Sequence, residues 1–280
     1  SRYADESTAS VSQVSRSLAR IEKTCGARLI HRSTHGLSLT PEGAIFLDYC
    51  QRLCGTLDEL EGEFASKSRE ASGLVRVAVS SVIAQYQLLP SLQGLVQRHP
   101  QLRLALEVSD RLVDMARDGI DIAIRTSVNL PETAVARRIG TLGRALYATP
   151  GYLASAGTPT HPDDLRQHRL ITNSAVTQLN HWPFLSDGKR TVVVADGQLR
   201  ANDTNMVASM TLEGLGIARL STISAVPLVR QKRLVPVLAD HIDPQPMPIY
   251  AVTAGARHRL PKIKACIDYW ADWFKRHGNA

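Results

Sequence analysis

The side chains best suited to contact DNA lie close together near the start of the chain. Gln13 can form paired hydrogen bonds with adenine, and Arg16 can bind guanine or a phosphate. Serine hydroxyls and the free amides of a helix N-terminus also suit phosphates. We therefore expect a DNA-contacting set that consists of Ser10, Ser12, Gln13, Ser15, Arg16 and Arg20. The alternative is an ordinary solvated helix surface of the same composition.

The charge distribution favours an acidic partner for the same segment. The chain of 280 residues carries a net charge of +7, which is typical of proteins that meet nucleic acid. Residues 1–40 hold six Lys or Arg residues against three acidic ones, and so carry +3. Charge alone is also compatible with a solvated basic face. The secondary structure that carries these residues is therefore needed to predict whether they contact DNA.

A predicted helix-turn-helix positions the polar set. Residues 1–8 favour a short helix, and Ser10 and Gln13 have the spacing of a capping box that starts a second helix. That helix should run to about Thr24 and end at Gly26, a residue suited to the C′ position. Its apolar residues recur at helical spacing on one face, at Val14, Leu18 and Ile21. The second helix would then enter the major groove by its N-terminal end.

A small hairpin is predicted directly after these helices. Residues 27–32 and 37–39 read as strands around a turn that contains Gly36. Two helices followed by a hairpin make a winged helix-turn-helix. Arg32, Thr34 and His35 would lie on the wing and contact the minor groove or the DNA backbone. The alternative is an exposed polar loop with no DNA contact.

The residues after the wing predict a long helix. Thr40, Pro41 and Glu42 supply a capping hydroxyl, a proline at the first helical position and an acid at the positive helix end. The helix should reach about Arg69. Apolar residues follow it like a coiled-coil seam, interrupted by Glu61, at Leu47, Cys50, Cys54, Leu57, Leu60 and Phe64. We favour a dimerisation helix over a core helix, since a long helix with one apolar stripe needs a partner.

Strands alternate with helices after a predicted hinge at residues 71–73. The first half should contain, in order, strand Leu74–Val79, helix Gln85–His99, strand Leu102–Val108, helix Arg111–Arg117 and strand Ile120–Ile124. This order implies a mainly parallel sheet with right-handed crossovers. In the second half strands and helices also alternate, and Thr191–Ala195 and Gly197–Ala201 are predicted to form a hairpin. We expect two α/β lobes with a cleft between them, the last strand and helix returning to the first lobe.

Polar side chains at the ends of these strands could form a ligand site in the cleft. Ser80 and Ser81 can present hydroxyls and amides to a carboxylate, so the expected ligand is a small molecule such as an organic acid. Asp203 could instead be only a helix N-cap. The expected effector-binding set is Ser80, Ser81, Arg125, Ser127, Asn173, Ser174, Asn202, Asp203 and Thr222.

Other classes of protein find little support in the sequence. Neither a GxSxG elbow nor a GxxxxGK[ST] loop occurs, and four scattered cysteines suit neither disulfides nor a metal site, so we expect no catalytic residue, cofactor or metal. No apolar run of about 18 residues suggests a membrane span, and the first residues do not resemble a signal peptide. A cytoplasmic protein is expected. The competing hypothesis is a solute-binding or enzymatic α/β protein that does not act on DNA.

The motifs between residues 10 and 43 resemble the N-terminal signature of LysR-type transcriptional regulators. They are Ser10–Arg16, Leu18–Glu22, Gly26–Arg32 and Leu39–Gly43. The remainder resembles the effector-binding domain of that family, and Val108–Asp114 with Gly119–Arg125 is similar to its CrgA-like subgroup. The resemblance implies an N-terminal winged helix-turn-helix (all-α with a β-wing), a long linker helix and a two-lobed α/β effector domain of the type 2 periplasmic-binding fold.

The resemblance also implies how the chain is divided and what it binds. The expected domains are 1–40 for DNA binding, 41–72 for the linker and dimerisation helix, and 73–280 for the effector domain. Lobe I would cover about 73–145 and 249–280, and lobe II about 146–248. Compared with the family pattern, the first helix of the DNA-binding domain is expected to be missing. The implied partners are double-stranded promoter DNA, a small-molecule effector, RNA polymerase and further copies of the chain in a homodimer or homotetramer.

Overall fold

The computed structural model describes residues 11–33, 36–65, 71–115, 117–126, 134–186, 188–243 and 246–278. They fall into two compact units, Ser1–Asp58 and Glu59–Ala280. The helix predicted over residues 1–8 lies outside the described residues. None of the described helices is long and apolar enough to span a membrane.

The N-terminal unit has the predicted order of helix, hairpin and helix. It contains α1 Val11–Cys25, β1 Ile30–Ser33 and β2 Gly36–Leu39, and α2 Pro41–Ala65 begins in it and ends beyond Asp58. The two strands are antiparallel, with Ile30 opposite Leu39 and Ser33 opposite Gly36. Gly26 follows α1 with a φ of +65°, a conformation that suits glycine at a helix end.

Two side chains, those of Glu22 and Thr40, join α1, the wing and α2. The Glu22 carboxylate accepts hydrogen bonds from the backbone amides of Leu29 (2.8 Å) and Ile30 (3.3 Å). The Thr40 hydroxyl donates to the Arg28 carbonyl (2.6 Å) and accepts from the Gly43 amide (2.9 Å), so it caps α2. The wing is therefore fixed to both helices by hydrogen bonds within this unit.

The C-terminal unit is built on two mixed five-stranded sheets. Its elements in chain order are β3 Gly73–Val79, α3 Ser81–Ile83, a π-helical turn Ala84–Leu88, α4 Leu89–Arg98, β4 Leu102–Val108, β5 Ile122–Thr126, β6 Ala134–Leu142, β7 Arg144–Ala148, α5 Pro150–Ala156, a 3-10 turn Pro162–Gln167, β8 Leu170–Asn173, a 3-10 turn Thr177–Asn180, β9 His181–Ser186, β10 Lys189–Val194, β11 Leu199–Ala201, α6 Thr204–Leu212, β12 Ile217–Ser221, α7 Thr222–Arg230, β13 Val235–Val237, β14 Met247–Ala254, a 3-10 turn Gly255–Arg259 and α8 Pro261–His277.

The strand order defines two lobes, and the last strand and helix of the chain return to the first of them. The first lobe has the sheet β4-β3-β5-β14-β6, and the second has β11-β8-β12-β7-β13. In the first sheet β3 pairs in parallel with β4 and β5, whereas β14 lies antiparallel between β5 and β6. Trp270 and Phe274 of α8 pack into the core of the first lobe, and Trp182 and Phe184 of β9 into the core of the second. The predicted mainly parallel sheet is thus mixed.

Two predicted elements of this unit are wrong. Residues 111–115 and 117–119 form bends and turns instead of a helix. Here the Asp114 carboxylate accepts from the Arg117 amide, and Asp118 accepts from the Asp114 amide. Such local side-chain bonds offer the backbone an alternative to helical pairing.

The predicted hairpin of Thr191–Ala195 with Gly197–Ala201 is the second error. In the structure β10 pairs with β9, and β11 pairs in parallel with β8. β9 contains Pro183, which is tolerated because β9 belongs to a two-stranded sheet in which the proline nitrogen need not donate.

Candidate DNA-binding and effector-binding sites

The candidate DNA-contacting residues of α1 share one surface of the helix. Ser12, Gln13, Arg16 and Arg20 are exposed, and Ser15 is half-buried. The Arg16 Nε donates to the Ser12 carbonyl at 3.3 Å, which turns the guanidinium toward the N-terminal end of α1. The apolar residues of α1 are half-buried on the other side of the helix, at Val14, Leu18 and Ile21. This side-by-side arrangement can present an amide, a guanidinium and hydroxyls to a groove.

Several predicted site residues fall outside what the structure describes. Ser10, Thr34, His35 and Ser127 are not among the described residues, and of Arg32 only the backbone is described. Within the wing, His31 is exposed at the level of β1, and Leu37 on β2 leaves 69% of its surface exposed.

A cavity of about 440 Å³ lies between the two lobes and is called the outer cleft here. Ser80 and Arg125, both predicted, line it, and the first-lobe loop after β4 contributes Asp110. From the second lobe come Arg144 at the start of β7 and Arg219 in β12. The volume is in the usual range for small-molecule sites.

Three half-buried arginines give the outer cleft a positive field. Burial lowers the pKa of Arg125 and of Arg219. The pKa of Arg144 falls to about 10, mainly through burial and further through Arg219, while Asp110 opposes the shift. Within the described part of the chain none of the three forms an ion pair. Unpaired cations in a region of low dielectric attract anions strongly.

Asp110 links the lobes on one side of the outer cleft. One carboxylate oxygen accepts from the Ser81 amide and the Ser81 hydroxyl, both at 3.1 Å. The other oxygen accepts from the Thr204 amide at the start of α6, at 2.6 Å. The Ser81 and Thr204 hydroxyls lie 3.0 Å apart and bond to each other. The carboxylate thus occupies the helix ends where an anionic ligand would otherwise be bound.

A second, smaller cavity of about 20 Å³ shares residues with the outer cleft and is called the inner pouch here. It is lined by Asn173 and Ser221, which are 4% and 3% exposed, and by Arg219. The Asn173 Nδ2, Ser221 Oγ and Arg219 Nε atoms are buried and have no hydrogen-bond partner in the described structure. The Asn173 Oδ1 accepts from the amides of Ala175 (2.8 Å) and Val176 (2.7 Å), which leaves its NH₂ group for the pouch.

The remaining predicted effector residues lie elsewhere. Ser81 is buried beneath the cleft in its bonds to Asp110, and Asp203 caps α6 by accepting from the Met206 amide at 2.7 Å. The predicted residues outside the lining of both cavities are Ser81, Ser174, Asn202, Asp203 and Thr222. Prediction from strand ends missed Arg144, Arg219 and Asp110. Arg219 within the buried run Ile217–Ser221 was the usable signal, because a charged residue in a buried strand is unusual.

Comparison with known protein families covers both parts of the chain. Residues 1–44 match the bacterial regulatory helix-turn-helix protein, lysR family, and residues 68–275 match the LysR substrate binding domain. The second match alone covers more than half of the chain.

Individual relatives align along nearly the whole chain. The HTH-type transcriptional repressor PA14_22550 of Pseudomonas aeruginosa (strain UCBPP-PA14) is 30% identical over 276 residues, which is 98% of this chain and 86% of that protein. The HTH-type transcriptional activator TtdR of Escherichia coli (strain K12) is 25% identical over 261 residues, or 93% of this chain and 84% of that protein. Both relatives are named as transcription regulators.

Solved structures of full-length regulators share the fold. AphB, described as a Vibrio cholerae virulence activator of the LTTR family, matches with a TM-score of 0.69 and 27% identity over 96% of this chain and 91% of that one. CrgA, a LysR-type regulator from Neisseria meningitidis, matches with a TM-score of 0.69 and 26% identity over the same shares. The CrgA-like resemblance and the fold expected from the sequence are confirmed. With both of its parts matched and a relative of 30% identity aligned over 98% of it, the chain belongs to the LysR family of bacterial transcriptional regulators.

Proposed function

We propose that the chain binds promoter DNA through α1 and the wing, and that a small molecule in the outer cleft controls this binding. Helix contacts would come from Ser10, Ser12, Gln13, Ser15, Arg16 and Arg20, and wing contacts from Arg32, Thr34 and His35. The domain division is retained as part of the proposal, with DNA binding by residues 1–40, a linker over 41–72 and an effector domain over 73–280.

The observation that carries the proposal is the outer cleft, whose arginines have no ion-pair partner among the described residues, in a chain whose α1 exposes Gln13 and Arg16. A solute-binding protein would need the cleft and not the helix. Among the described residues that line the cleft, Asp110 is the acidic one. One of its carboxylate oxygens accepts from Ser81 and the other accepts from Thr204. Since that carboxylate is engaged, we propose that the effector is bound and released unchanged and that the chain is not an enzyme.

Control would pass from the cleft to DNA through the assembly of several copies. An effector that binds one arrangement of the lobes more tightly would favour that arrangement and change the spacing of the DNA-binding units. On α2, Ile45, Tyr49 and Leu53 lie four residues apart and are 60%, 58% and 65% exposed. They supply an apolar stripe for a dimer or tetramer beside the predicted seam, of which Leu47 and Cys50 are half-buried. RNA polymerase is a further proposed partner, and the bacterial cytoplasm the proposed site of action.

The test is an electrophoretic mobility shift with DNA from the promoter region of the chain's own gene and with a shuffled sequence of equal length. We expect tighter binding to the promoter at every salt concentration, with an affinity that falls as salt rises. Equal affinity for both DNAs would rule out sequence-specific regulation and favour the alternative of a solute-binding or enzymatic protein.

A further inference from the structure

The charges of the outer cleft do not balance. Among the described lining residues that are half-buried, Arg125, Arg144 and Arg219 contribute three positive charges and Asp110 one negative charge, which leaves two positive charges unmatched. Arg111 also lines the cleft but is exposed, so solvent screens it. Buried charges are normally paired, because an unpaired one is costly to desolvate. The cleft is therefore complementary to a ligand with about two negative charges.

The inner pouch determines where one of those charges would lie. Asn173 Nδ2 and Arg219 Nε can only donate hydrogen bonds, and the Ser221 hydroxyl can donate as well. Three unsatisfied donors around a space of about 20 Å³ fit one acceptor oxygen, since this volume is close to that of a single water molecule. The nearby Arg144 lines both cavities. An acidic group at this point would satisfy the donors and meet a positive charge at once.

Asp110 restricts where in the cleft an anionic ligand can bind. Its carboxylate already accepts from the amides of Ser81 and Thr204, so the ligand cannot use those two helix ends. The arginines remain as anchors, with Arg219 and Arg144 at the inner pouch and Arg125 at the end of β5 in the other lobe. A ligand that reaches both groups must carry an acidic group at each end.

We propose that the effector is a small dianion with two separated acidic groups, one that places an oxygen in the inner pouch and one at Arg125. This inference rests on the proposed function and specifies its ligand. A short dicarboxylate and a phosphorylated carboxylic acid share the required chemistry. Because such a ligand touches arginines from both lobes, its binding depends on how the lobes are arranged.

Binding is measured on the full chain by thermal shift and calorimetry at constant ionic strength. The probes are succinate, glutarate and phosphoglycolate, each against a partner that lacks one acidic group, namely succinamate, glutaramate and glycolate. At about 100-fold excess over Kd we expect a dianion to raise Tm by roughly 5 °C. The matched partner should bind at least tenfold more weakly. A response to the dicarboxylates or to phosphoglycolate identifies the type of acidic group.

Two variants test whether the proposed side chains bind the dianion. Ser221→Ala removes an unpartnered hydroxyl and Arg125→Gln removes a charge while keeping an amide, and each should weaken dianion binding at least tenfold. Arg230→Gln, an exposed arginine outside both cavities, should bind like the unaltered chain. Succinate and glutarate are dianions at neutral pH, whereas phosphoglycolate carries about three negative charges. The proposal is overturned if none of the three diacids raises Tm, if the matched partners bind as well, or if S221A and R125Q bind normally.

The mobility shift without added probe separates this inference from the proposed function. Sequence-specific DNA binding together with a failed dianion test refutes the ligand class and leaves the regulator proposal intact. Loss of sequence specificity refutes the regulator proposal, whatever the probes do.

Discussion

Arg144 illustrates, at the scale of a single residue, how a ligand site can oppose stability. Its guanidinium is charged near neutral pH and has no ion-pair partner in the described structure, while burial and Arg219 lower its pKa to about 10. A basic group whose pKa is lower in the folded than in the unfolded chain binds its proton less tightly after folding. Its positive charge therefore lowers the free energy of unfolding. Binding sites commonly carry such costs, and substitutions that relieve them stabilise the protein at the expense of function.

We therefore expect Arg144→Met to raise the Tm of the ligand-free protein, by roughly 2–4 °C for each kcal/mol of relieved desolvation. Below pH 10 the arginine is charged in both states and the gain is complete. Above pH 10 the folded chain of the unaltered protein releases this proton first, so the gain shrinks as the pH approaches the higher pKa that this group has in the unfolded chain. Thermal denaturation at pH 8 and pH 11 measures both effects. A lower Tm for R144M at pH 8 would show that the guanidinium is compensated after all.

Arg16 tests the DNA surface at the same scale. Arg16→Ala should weaken promoter binding by roughly 10-fold or more, since one good contact to a base contributes about 1–3 kcal/mol. If Arg16 instead contacts a phosphate, the loss is uniform across sequences and the salt slope falls by about one. The residue is exposed, so Tm should stay unchanged. Fluorescence anisotropy with labelled promoter DNA measures the affinity, and Arg230→Ala is the control. Unaltered affinity and preference in R16A would remove α1 from the interface.

At the scale of elements, Gly43 fixes the wing against α2. A Cβ built on Gly43 would lie 1.9 Å from the Leu29 carbonyl oxygen and 2.8 Å from its carbon, and backbone atoms cannot yield as a flexible side chain can. The same carbonyl accepts from the Thr40 amide at 3.0 Å. Any side chain at Gly43 must therefore separate the wing from the helix and break the Thr40 cap.

Gly43→Ala is expected to destabilise the N-terminal unit by about 2 kcal/mol or more, as overpacking usually costs 1–3 kcal/mol and a lost cap about 1. Promoter binding should fall with it, and the affinity of the outer cleft for its ligand should not. Hydrogen exchange at the wing amides and a mobility shift measure the two effects. Gly151→Ala on α5 is the matched control, because no atom lies within 4 Å of its Cβ position. Equal wing protection in G43A and G151A would contradict the argument.

The elements also show what can be predicted from sequence. Thr40 and Pro41 predict the start of α2 because the effects of a capping residue and of proline are local. β1 and β2 are predicted by a short alternating pattern on either side of a turn. Local patterns cannot reveal pairing, and so β9, with Pro183, was missed although Trp182 packs into a core. In the candidate site, Ser80 and Arg125 were predicted from their place after strands. Asp110 was missed because its role depends on a hydrogen bond between the lobes, and Arg219 because the cleft that it lines exists only between two folded lobes.

At the scale of the whole effector unit, one carboxylate joins the lobes. Asp110 belongs to the first lobe, and its bond to the Thr204 amide reaches the first turn of α6 in the second. Hydrogen bonds to a charged group contribute about 1.5–3 kcal/mol each. This contribution is comparable to the coupling free energies between two sites in regulated proteins. The hydrogen bond between Asp110 and Thr204 is therefore strong enough to favour one arrangement of the lobes. It is also weak enough for ligand binding to break it.

Asp110→Asn keeps the size of the side chain but replaces one accepting oxygen with an NH₂ group and removes the charge. Because an amide cannot accept at both positions, we expect the lobes to separate more often and the Thr204 amide to exchange its hydrogen roughly 10–100-fold faster. Hydrogen exchange of the segments around Ser81 and Thr204 measures this, and Asp240→Asn, at an exposed position, is the control. Among the described lining residues of the variant, three arginines face the cleft without an acidic neighbour, so dianion affinity should rise. Unchanged exchange at Thr204 in D110N would mean that packing alone, and not the carboxylate, holds the lobes together.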